Sequence, residues 1–258
     1  MREHHEFRTD THATKGVVGL SLRGRRHENQ DYCLADKQEG TCIAIVCDGV
    51  GGSANGGLAS SYAARKFHHE FTNNHIETYS RKNDIERRAI CQKIITRIQG
   101  VLINSEELEG SSTTFTCLII NKKGEAFADI VHLGDTRCYF EVDMNDYNVQ
   151  TDDHTVAGDL FRDGSIARHA IKNISGSNVL TRYLGSPDEP EIQFLSTRIL
   201  PRIAILCSDG VWSSLHGEGG LAIPDFQNSD LATELVQSAI IHNSTDNCTA
   251  VVVNLEEI

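Results

Sequence analysis

The chain has 258 residues, 39% of them hydrophobic, which is enough for a sizeable core in one large domain or two small ones. Its 36 acidic residues outnumber 24 lysines and arginines, and the formal charge of −12 disfavours nucleic acid and anionic membranes as partners. No apolar stretch approaches the roughly 20 residues of a membrane span, and the polar start lacks the apolar core of a signal peptide. We therefore expect a cytosolic protein. Because no low-complexity linker interrupts it, we expect a single domain over residues 1–258.

The eight cysteines do not have the spacing of a zinc site or a disulfide framework. None belongs to a Cys-x-x-Cys pair, and six fall in or beside apolar runs typical of strands. Those six are Cys42, Cys47, Cys117, Cys138, Cys207 and Cys248. We interpret them as small buried hydrophobic residues in a reducing compartment.

The first part of the chain alternates polar segments with strand patterns. Residues 1–15 are polar and predict a flexible or loosely docked terminus. A strand is predicted over residues 16–22, followed by a polar turn with three arginines that ends near Asp31. The turn could be a solvated loop. It could also be an anion clamp, because the planar fork of arginine suits a phosphate.

A short apolar run over residues 43–47 predicts an interior strand that ends at Asp48-Gly49-Val50-Gly51-Gly52. The same design recurs where residues 203–207 lead into Ser208-Asp209-Gly210. Alone, each Asp-Gly pair could be an ordinary turn. Together, two buried strands that each deliver a carboxylate could meet and hold a metal ion.

The middle of the chain predicts two helices and then a series of strands. The helices cover residues 55–71 and 84–108, the second capped by Asp84. Further strands are predicted over residues 113–120, 125–133 and 138–142, with a hairpin turn after the first and a Gly134-Asp135 junction after the second.

The last part of the chain returns to a mixed pattern. A short helix is predicted over residues 155–162, and residues 168–178 are polar. Strands 192–199 and 203–207 are expected to pair with each other. A helix over residues 231–241 and a closing strand over 248–253 complete the chain, with Asp246 just before that strand.

Seven short motifs, in family order and spread over almost the whole chain, resemble those of the metal-dependent serine/threonine phosphatases called PP2C or PPM. The motifs are Arg26-His27-Glu28-Asn29-Gln30-Asp31, Asp48-Gly49-Val50-Gly51-Gly52, Gly134-Asp135-Thr136-Arg137, Thr151-Asp152-Asp153-His154, Leu180-Thr181-Arg182-Tyr183-Leu184-Gly185, Ser208-Asp209-Gly210-Val211-Trp212 and Asp246-Asn247. The resemblance implies an α+β fold, an α-β-β-α four-layer sandwich of two packed antiparallel β-sheets flanked by helices. It also implies a site at one edge of the sandwich.

The resemblance further implies a metal centre. Asp48 would bridge two Mg²⁺ or Mn²⁺ ions, and the carbonyl of Gly49 would serve the first ion. Asp209 and Asp246 would serve the second, while Asp135 and Asp209 would form a third, weaker site. Oxygen ligands suit these ions and do not suit zinc.

Two further residues complete the implied catalytic group. Asp31 would hold a metal-bound water, and Arg26 would bind the substrate phosphate. A water between two ions about 3.5–4 Å apart would attack phosphorus in line, with no cysteine nucleophile.

This chain departs from the family pattern at the place where some members carry a histidine general acid. Val50 stands there. The proton donor to the leaving group is therefore open between a metal-bound water, His154 and His27. Residues 155–178 match the family's flap region, which often governs substrate choice.

We predict a protein phosphatase that hydrolyses phosphoserine and phosphothreonine, of the bacterial stand-alone type. Its substrates would be phosphorylated proteins, including a serine/threonine kinase or its targets, and it would act as a monomer. The alternatives are a catalytically silent module that binds phosphoproteins and a phosphatase of another specificity.

Overall fold

The computed structural model describes residues 10–38, 40–50, 55–144, 146–167, 174, 176, 178–217, 220–222 and 230–258. The strands in these residues are β1 (Asp10–Thr14), β2 (Val17–Leu22), β3 (Asp31–Gln38), β4 (Thr41–Asp48), β5 (Phe115–Asn121), β6 (Phe127–Leu133), β7 (Arg137–Asp143), β8 (Asp146–Val149), β9 (Gln193–Thr197), β10 (Ile203–Cys207), β11 (His216–Gly217), β12 (Gly220–Leu221) and β13 (Cys248–Asn254). The helices are α1 (Gly56–Asn74), α2 (Ile76–Tyr79), α3 (Asp84–Asn104), α4 (Val156–Arg162), α5 (Asp209–Leu215) and α6 (Leu231–Ile241), with a 3₁₀ turn at Glu106–Leu108.

The strands form two large antiparallel sheets. One has six strands in the order β1-β2-β13-β10-β7-β8, and the other has five in the order β3-β4-β5-β6-β9. Strands β11 and β12 make a separate small ribbon. The two sheets are the inner layers of the predicted sandwich.

The alternation of side chains along β4 shows how the layers form. Ile43, Ile45 and Cys47 face the helices α1 and α3, where they pack in one core with residues such as Phe67 and Ile98. The intervening β4 residues point the other way, because successive side chains of a strand face opposite sides of its sheet. A strand that is buried on both faces is therefore apolar throughout, as residues 43–47 are.

Two further cores complete the layering. The intervening β4 residues Cys42, Ala44 and Val46 pack against the inner face of the six-stranded sheet. The outer face of that sheet packs against α5 and α6 through residues such as Val211 and Leu235. The four-layer order of helices, sheet, sheet and helices agrees with the expected fold.

The cysteine interpretation also agrees with the structure, because all eight cysteines are buried and free. Burial raises the pKa of Cys42, Cys91 and Cys207 to about 12, so these thiols stay protonated and unreactive at neutral pH.

Three predictions about elements are corrected by the structure. Strands β9 and β10 do not pair with each other, because β9 pairs with β6 in one sheet and β10 pairs with β7 and β13 in the other. Part of the terminus predicted to be flexible is an edge strand, since β1 pairs with β2, while residues 1–9 lie outside the described residues. Helix α3 is capped by Asn83 in a capping box with Glu86, and it ends at Asn104.

The prediction for residues 155–178 is tested only in part. Helix α4 begins one residue after the predicted start and is capped by Thr155. Residues 168–173, 175 and 177 lie outside the described residues. The single domain over residues 1–258 stays a prediction.

Candidate active site

Four predicted acids meet at one edge of the sandwich because the ends of four strands meet there. Asp31 begins β3 and Asp48 ends β4, and the antiparallel register places them directly opposite each other. Asp209 follows β10, and Asp246 precedes β13, the strand that pairs with β10. Each sheet therefore contributes two carboxylates to the site.

Two glycines permit the close approach of these segments. A Cβ at Gly49 would lie 2.5 Å from the backbone carbon of Gly56 at the start of α1. A Cβ at Gly210 would lie 1.9 Å from the carbonyl oxygen of Asn247. Any side chain at either position would clash with that backbone, so one of the two segments would have to move. The glycines after Asp48 and Asp209 are thus steric requirements of the site, in addition to being turn residues.

Asn247 fixes the arginine turn against the start of β13. Its amide nitrogen donates to the carbonyl oxygens of Arg23 and Glu28 at 2.7 and 2.8 Å, and its Oδ1 accepts from the Gln30 N–H at 2.9 Å. The turn is therefore held by a buried side chain at three points. These bonds anchor the turn to the body of the protein, and its role as an anion clamp stays a prediction.

Arg26 lies at the rim of the site, with 52% of its side chain exposed, and its Nη2 donates to Asp246 Oδ2 at 2.6 Å. The other Asp246 oxygen accepts from the Asn247 N–H at 2.8 Å. The hydrogen bond and the charge of Asp246 raise the pKa of Arg26, and the charges of Asp209 and Asp48 add to the effect. The arginine predicted to bind phosphate is thus beside the acids.

The acids of the site raise one another's pKa. Asp48 keeps part of its surface open to the cleft, yet removal of its carboxyl from water raises its pKa well above the ordinary value. The charges of Asp31, Asp209, Asp135 and Asp246 raise it further, in that order. Burial likewise raises the pKa of Asp209. Such a cluster is costly without a cation, and oxygen ligands of this kind suit a hard divalent ion.

Asp31 is buried and uses its two carboxylate oxygens differently. Oδ2 accepts hydrogen bonds from the hydroxyls of Ser208 and Thr249, whereas Oδ1 is buried with no hydrogen-bond partner among the described residues. Burial raises the pKa of Asp31, and the two hydroxyls oppose that rise. A buried carboxylate oxygen without a donor calls for a partner that the chain itself does not supply, such as water or an ion.

Asp135 is buried in the turn between β6 and β7. Burial raises its pKa well above the ordinary value, and the charges of Asp209 and Asp153 raise it further. Trp212 on α5 donates its Nε1–H to the Asp135 carbonyl at 2.9 Å, and Arg137 lies 3.5 Å over the Trp212 ring. These contacts fix Asp135 beside the start of α5, where Asp209 lies.

His154 is wholly buried and does not fit the role of proton donor to a substrate. Its ring Nδ1 accepts from the Gly134 N–H at 3.1 Å, and its backbone N–H donates to the Gly134 carbonyl at 2.8 Å. Burial lowers its pKa strongly, so its ring is neutral at ordinary pH. His154 therefore holds the turn that carries Asp135. His27 is exposed and stays an open alternative.

Within the described residues, no group of three or more His, Cys, Asp or Glu side chains is placed to hold a metal ion together. Both oxygens of Asp246 accept hydrogen bonds, one from Arg26 and one from the Asn247 N–H, and these bonds turn the carboxylate toward the rim. Gly51 and Gly52, next to Asp48, lie outside the described residues. The predicted ligands are thus brought to one edge, and their assignment as ligands stays a prediction.

Sequence reasoning missed the hydroxyl side chains around Asp31. Thr249 and Ser21 lie inside strands, where a threonine or serine is hard to tell from an ordinary strand residue. A signal was nevertheless present in the sequence, because Ser208 directly precedes Asp209 and Thr249 comes three residues after Asp246.

A family model described as protein phosphatase 2C matches residues 18–238 of the chain. The chain belongs to the protein phosphatase 2C family. The match covers most of the two sheets and every predicted site residue except Asp246. The family predicted from the motifs is thereby confirmed, and this family is metal-dependent in general.

Individual relatives of the PP2C family agree. A protein of Listeria welshimeri named serine/threonine phosphatase stp is 30% identical over 81% of this chain and 77% of its own. The crystal structure of the PPM Ser-Thr phosphatase MsPP from Mycobacterium smegmatis, in complex with cacodylate, is 27% identical with a TM-score of 0.73, covering 93% and 97% of the two chains.

A third relative supports the fold alone. The structure of the serine/threonine phosphatase Stp1 from Staphylococcus aureus has a TM-score of 0.79 at 19% identity and covers 99% of both chains. The predicted four-layer PP2C fold is confirmed. In the described part of this chain, no helix combines the length and the apolar character needed to cross a membrane.

Proposed function

We propose that this chain is a metal-dependent protein serine/threonine phosphatase that hydrolyses phosphoserine and phosphothreonine. The observation that carries the proposal is the meeting of Asp31, Asp48, Asp209 and Asp246 at one sandwich edge, with Arg26 at the rim. Family membership supports the same activity, since the relatives described above are named serine/threonine phosphatases.

The donor set fits two Mg²⁺ or Mn²⁺ ions, because every predicted ligand is an oxygen and the buried acids raise one another's pKa. Asp48 and the Gly49 carbonyl would hold one ion, and Asp48, Asp209 and Asp246 the other. Asp135 with Asp209 would provide a third, weaker site. When bound, such ions neutralise charge on phosphoryl oxygens and make water a better nucleophile at neutral pH.

The residues of the chain supply the remaining functions. Arg26 presents an exposed guanidinium that can bind two phosphate oxygens at once. Asp31 Oδ1, which has no hydrogen-bond partner among the described residues, can accept a hydrogen bond from a water at the site and orient it. Gly49 and Gly210 let the backbone of Gly56 and of Asn247 pack directly behind the acids.

The substrates would be phosphorylated proteins, with a serine/threonine kinase or its targets among them. The exposed position of Arg26 supports this, because a phosphorylated side chain can reach a rim residue without the rest of its protein entering the cleft. Action as a monomer and a cytosolic location remain part of the proposal.

The proposal is tested by the hydrolysis of p-nitrophenyl phosphate and of a phosphothreonine peptide with Mn²⁺, with EDTA, and with Asp209→Asn. We expect Mn²⁺-dependent turnover that EDTA abolishes and Asp209→Asn lowers by about three orders of magnitude. Asp188→Asn is the matched control, because Asp188 is exposed on a loop remote in sequence from every motif acid, and it should keep full activity.

Two outcomes would count against the proposal. Turnover that persists in EDTA, or that survives Asp209→Asn, would exclude the metal mechanism. Stoichiometric Mn²⁺ binding without hydrolysis of either substrate would indicate a catalytically silent module.

A further inference from the structure

The carboxylate of Asp31 is held by one oxygen only. Thr249 Oγ1 donates to Oδ2 at 2.6 Å, and Ser208 Oγ donates to the same oxygen at 2.8 Å. Oδ1 is also buried but has no hydrogen-bond partner among the described residues. Two hydroxyl donors on one oxygen fix the rotation of the carboxylate, so the atom left for the site is Oδ1.

The direction of the hydrogens follows from the fact that a hydroxyl has a single one. Since Thr249 donates its hydrogen to Asp31, it must accept the hydrogen of Ser21, whose Oγ lies 2.7 Å away. Ser21 in turn accepts from Asn29 Nδ2 at 2.9 Å. The orientation of the Asn29 amide is set by its Oδ1, which accepts from the Asp31 N–H at 3.3 Å.

Asn29, Ser21, Thr249 and Ser208 form what we call the hydroxyl chain. Asn29, Ser21 and Thr249 act in series on Asp31, whereas Ser208 acts in parallel and is itself fixed by the Thr249 N–H at 3.1 Å. Ser21, Thr249 and Ser208 are each completely buried. Hydrogen bonds in such surroundings polarise one another and are worth more than isolated ones.

The hydroxyl chain also joins the two halves of the site. Asp31 belongs to β3 in the five-stranded sheet, while Ser21, Ser208 and Thr249 come from β2, the end of β10 and β13 in the six-stranded sheet. The acids are divided between the sheets in the same way, with Asp48 on one side and Asp209 on the other. The hydroxyl chain therefore links the two sheets beside the acids.

We propose that Thr249, Ser208 and Ser21 are positioning residues that hold Asp31 Oδ1 toward the cleft and keep the two halves of the acid cluster in register. The inference rests on the function proposed above. These side chains do not touch the substrate, and they act through Asp31. If they served only to satisfy a buried carboxylate, their removal would lower stability and leave the chemistry unchanged.

Thr249→Val tests the proposal, because valine keeps the shape of threonine and removes its hydroxyl. Thr249→Ser keeps a hydroxyl at this position. The control is Thr41→Val, which makes the same change at a buried threonine at the first residue of β4, the end of that strand opposite to Asp48. The measurements are kcat and KM for p-nitrophenyl phosphate, Mn²⁺ affinity of the substrate-free protein by electron paramagnetic resonance, and the melting temperature.

We expect kcat or Mn²⁺ affinity to fall by about 10–100-fold in Thr249→Val, with KM within about twofold of wild type. Thr249→Ser should recover most of the loss, and Thr41→Val should match wild type in both. If both quantities stay within about threefold of wild type in folded Thr249→Val, or if Thr249→Ser is as impaired as Thr249→Val, the proposal is wrong.

Double variants separate series from parallel action. Ser21→Ala should lower kcat alone by about fivefold, and it should add nothing to Thr249→Val, because Ser21 acts through Thr249. Ser208→Ala should still lower kcat in the Thr249→Val background. Additive effects of Ser21→Ala and Thr249→Val would overturn the series arrangement. If Thr249→Val does not fold, Ser21→Ala and Ser208→Ala replace it. Their kcat and Mn²⁺ affinity are then compared with those of the control Thr41→Val, and values within about threefold of wild type in both would show the proposal to be wrong.

The two proposals fail in different ways. A wild-type protein without Mn²⁺-dependent turnover would contradict the proposed function, and the Mn²⁺ affinities would still test the positioning. An active wild-type protein with an equally active Thr249→Val variant would contradict the positioning alone.

Discussion

The five-stranded sheet carries two carboxylates in opposite surroundings, Asp129 in the middle of β6 and Asp48 at the end of β4. Asp129 is fully buried, and its Oδ2 accepts from Arg87 Nε at 2.7 Å and from Tyr79 Oη at 2.9 Å. Arg87 is equally buried and lies 3.9 Å over the ring of Phe127. The chain thus provides Asp129 with its own cation and all the donors it needs.

In the described part of the chain, no arginine or lysine forms an ion pair with Asp48. Its backbone is tied to Thr114, but its carboxyl faces Asp31, Asp209 and Asp135, which all raise its pKa. The nearby cation, Arg26, is exposed and bonded to Asp246 instead. The contrast teaches how to distinguish the two uses of a buried acid. A buried acid that is paired with a cation of the protein, as Asp129 is, stabilises the fold. A buried acid without such a pair, as at Asp48, is available to an external ion.

The largest expected effect is on catalysis, and it comes from Asp48→Asn. We expect kcat to fall by at least about three orders of magnitude, because the bridging ligand of the proposed metal centre loses its charge. The metal-free protein should become more stable by roughly 0.5–2 kcal/mol, since one of several mutually repelling charges is gone. Activity assays and denaturant unfolding in EDTA measure both quantities.

Asp129→Asn is the matched control, with the same substitution on the same sheet. It should lose about 3 kcal/mol of stability, because it leaves Arg87 without its buried counter-charge and with the exposed Asp84 alone, and a folded Asp129→Asn variant should keep its kcat. If Asp48→Asn destabilised the metal-free protein as much as Asp129→Asn does, the two carboxylates would not differ as described.

The next largest effect is on stability, and it comes from the buried ion pair of Arg87 and Asp129. Arg87→Met should lower the free energy of unfolding by about 3–5 kcal/mol, because it strands Asp129 in the core. Arg87→Met/Asp129→Leu should recover much of that loss, since a buried ion pair replaced by apolar residues is often neutral. Chemical denaturation of both variants checks this. A double variant no more stable than Arg87→Met would show that the stranded charge is not the cause.

Arg87 and Asp129 also show where sequence reasoning succeeds and where it stops. The helix α3 was predicted from the sequence, and Arg87 lies on its buried face, one turn before Cys91. An arginine on a buried stripe and an aspartate inside an apolar strand are each visible in the sequence. Their pairing over 42 positions is not, because it depends on how α3 crosses the sheet.

The same limit applies to the site. The candidate acids Asp31, Asp48, Asp135, Asp209 and Asp246 were predicted from short motifs at strand ends, since such motifs are local features of the sequence. The pairing of β9 with β6 was not, because the partner of a strand is a long-range choice that neighbours in sequence do not dictate. The hydroxyls around Asp31 were missed for the same reason, as they come from β2, from β13 and from the residue that follows β10.

A smaller effect is expected from Arg26→Ala at the rim of the site. KM for a phosphopeptide should rise by about 10–100-fold, because the proposed bidentate contact to phosphate is lost. Mn²⁺ affinity should change less, or increase, since Asp246 Oδ2 is released from Arg26. Steady-state kinetics and Mn²⁺ titration measure the two. A collapse of Mn²⁺ affinity with unchanged KM would place Arg26 among the supports of the metal centre and remove it from phosphate binding.

The smallest effect belongs to a third kind of carboxylate, Asp36, which is partly exposed on β3 and accepts from His68 Nε2 at 2.7 Å. Burial opposes ionisation of Asp36, but the bonds from His68 and Gln38 outweigh it, so the pKa lies below the ordinary 3.8. A lowered pKa stabilises the fold above the unfolded value and loses that contribution as the pH falls through the folded value. His68→Ala should therefore cost less than about 1 kcal/mol at pH about 5, and the cost should vanish on further acidification.

His69→Ala, a change at an exposed histidine of the same helix, is the control for Asp36 and should show no such pH dependence. Urea unfolding of both variants over the acidic range gives the measurement. Water screens a partly exposed pair and also replaces the lost donor, so the same kind of contact that costs several kcal/mol at Asp129 should cost little here. A loss in His68→Ala comparable to that in Arg87→Met would mean that burial does not set the strength of these pairs. Burial would then also give no reason for Asp48 to need an external cation.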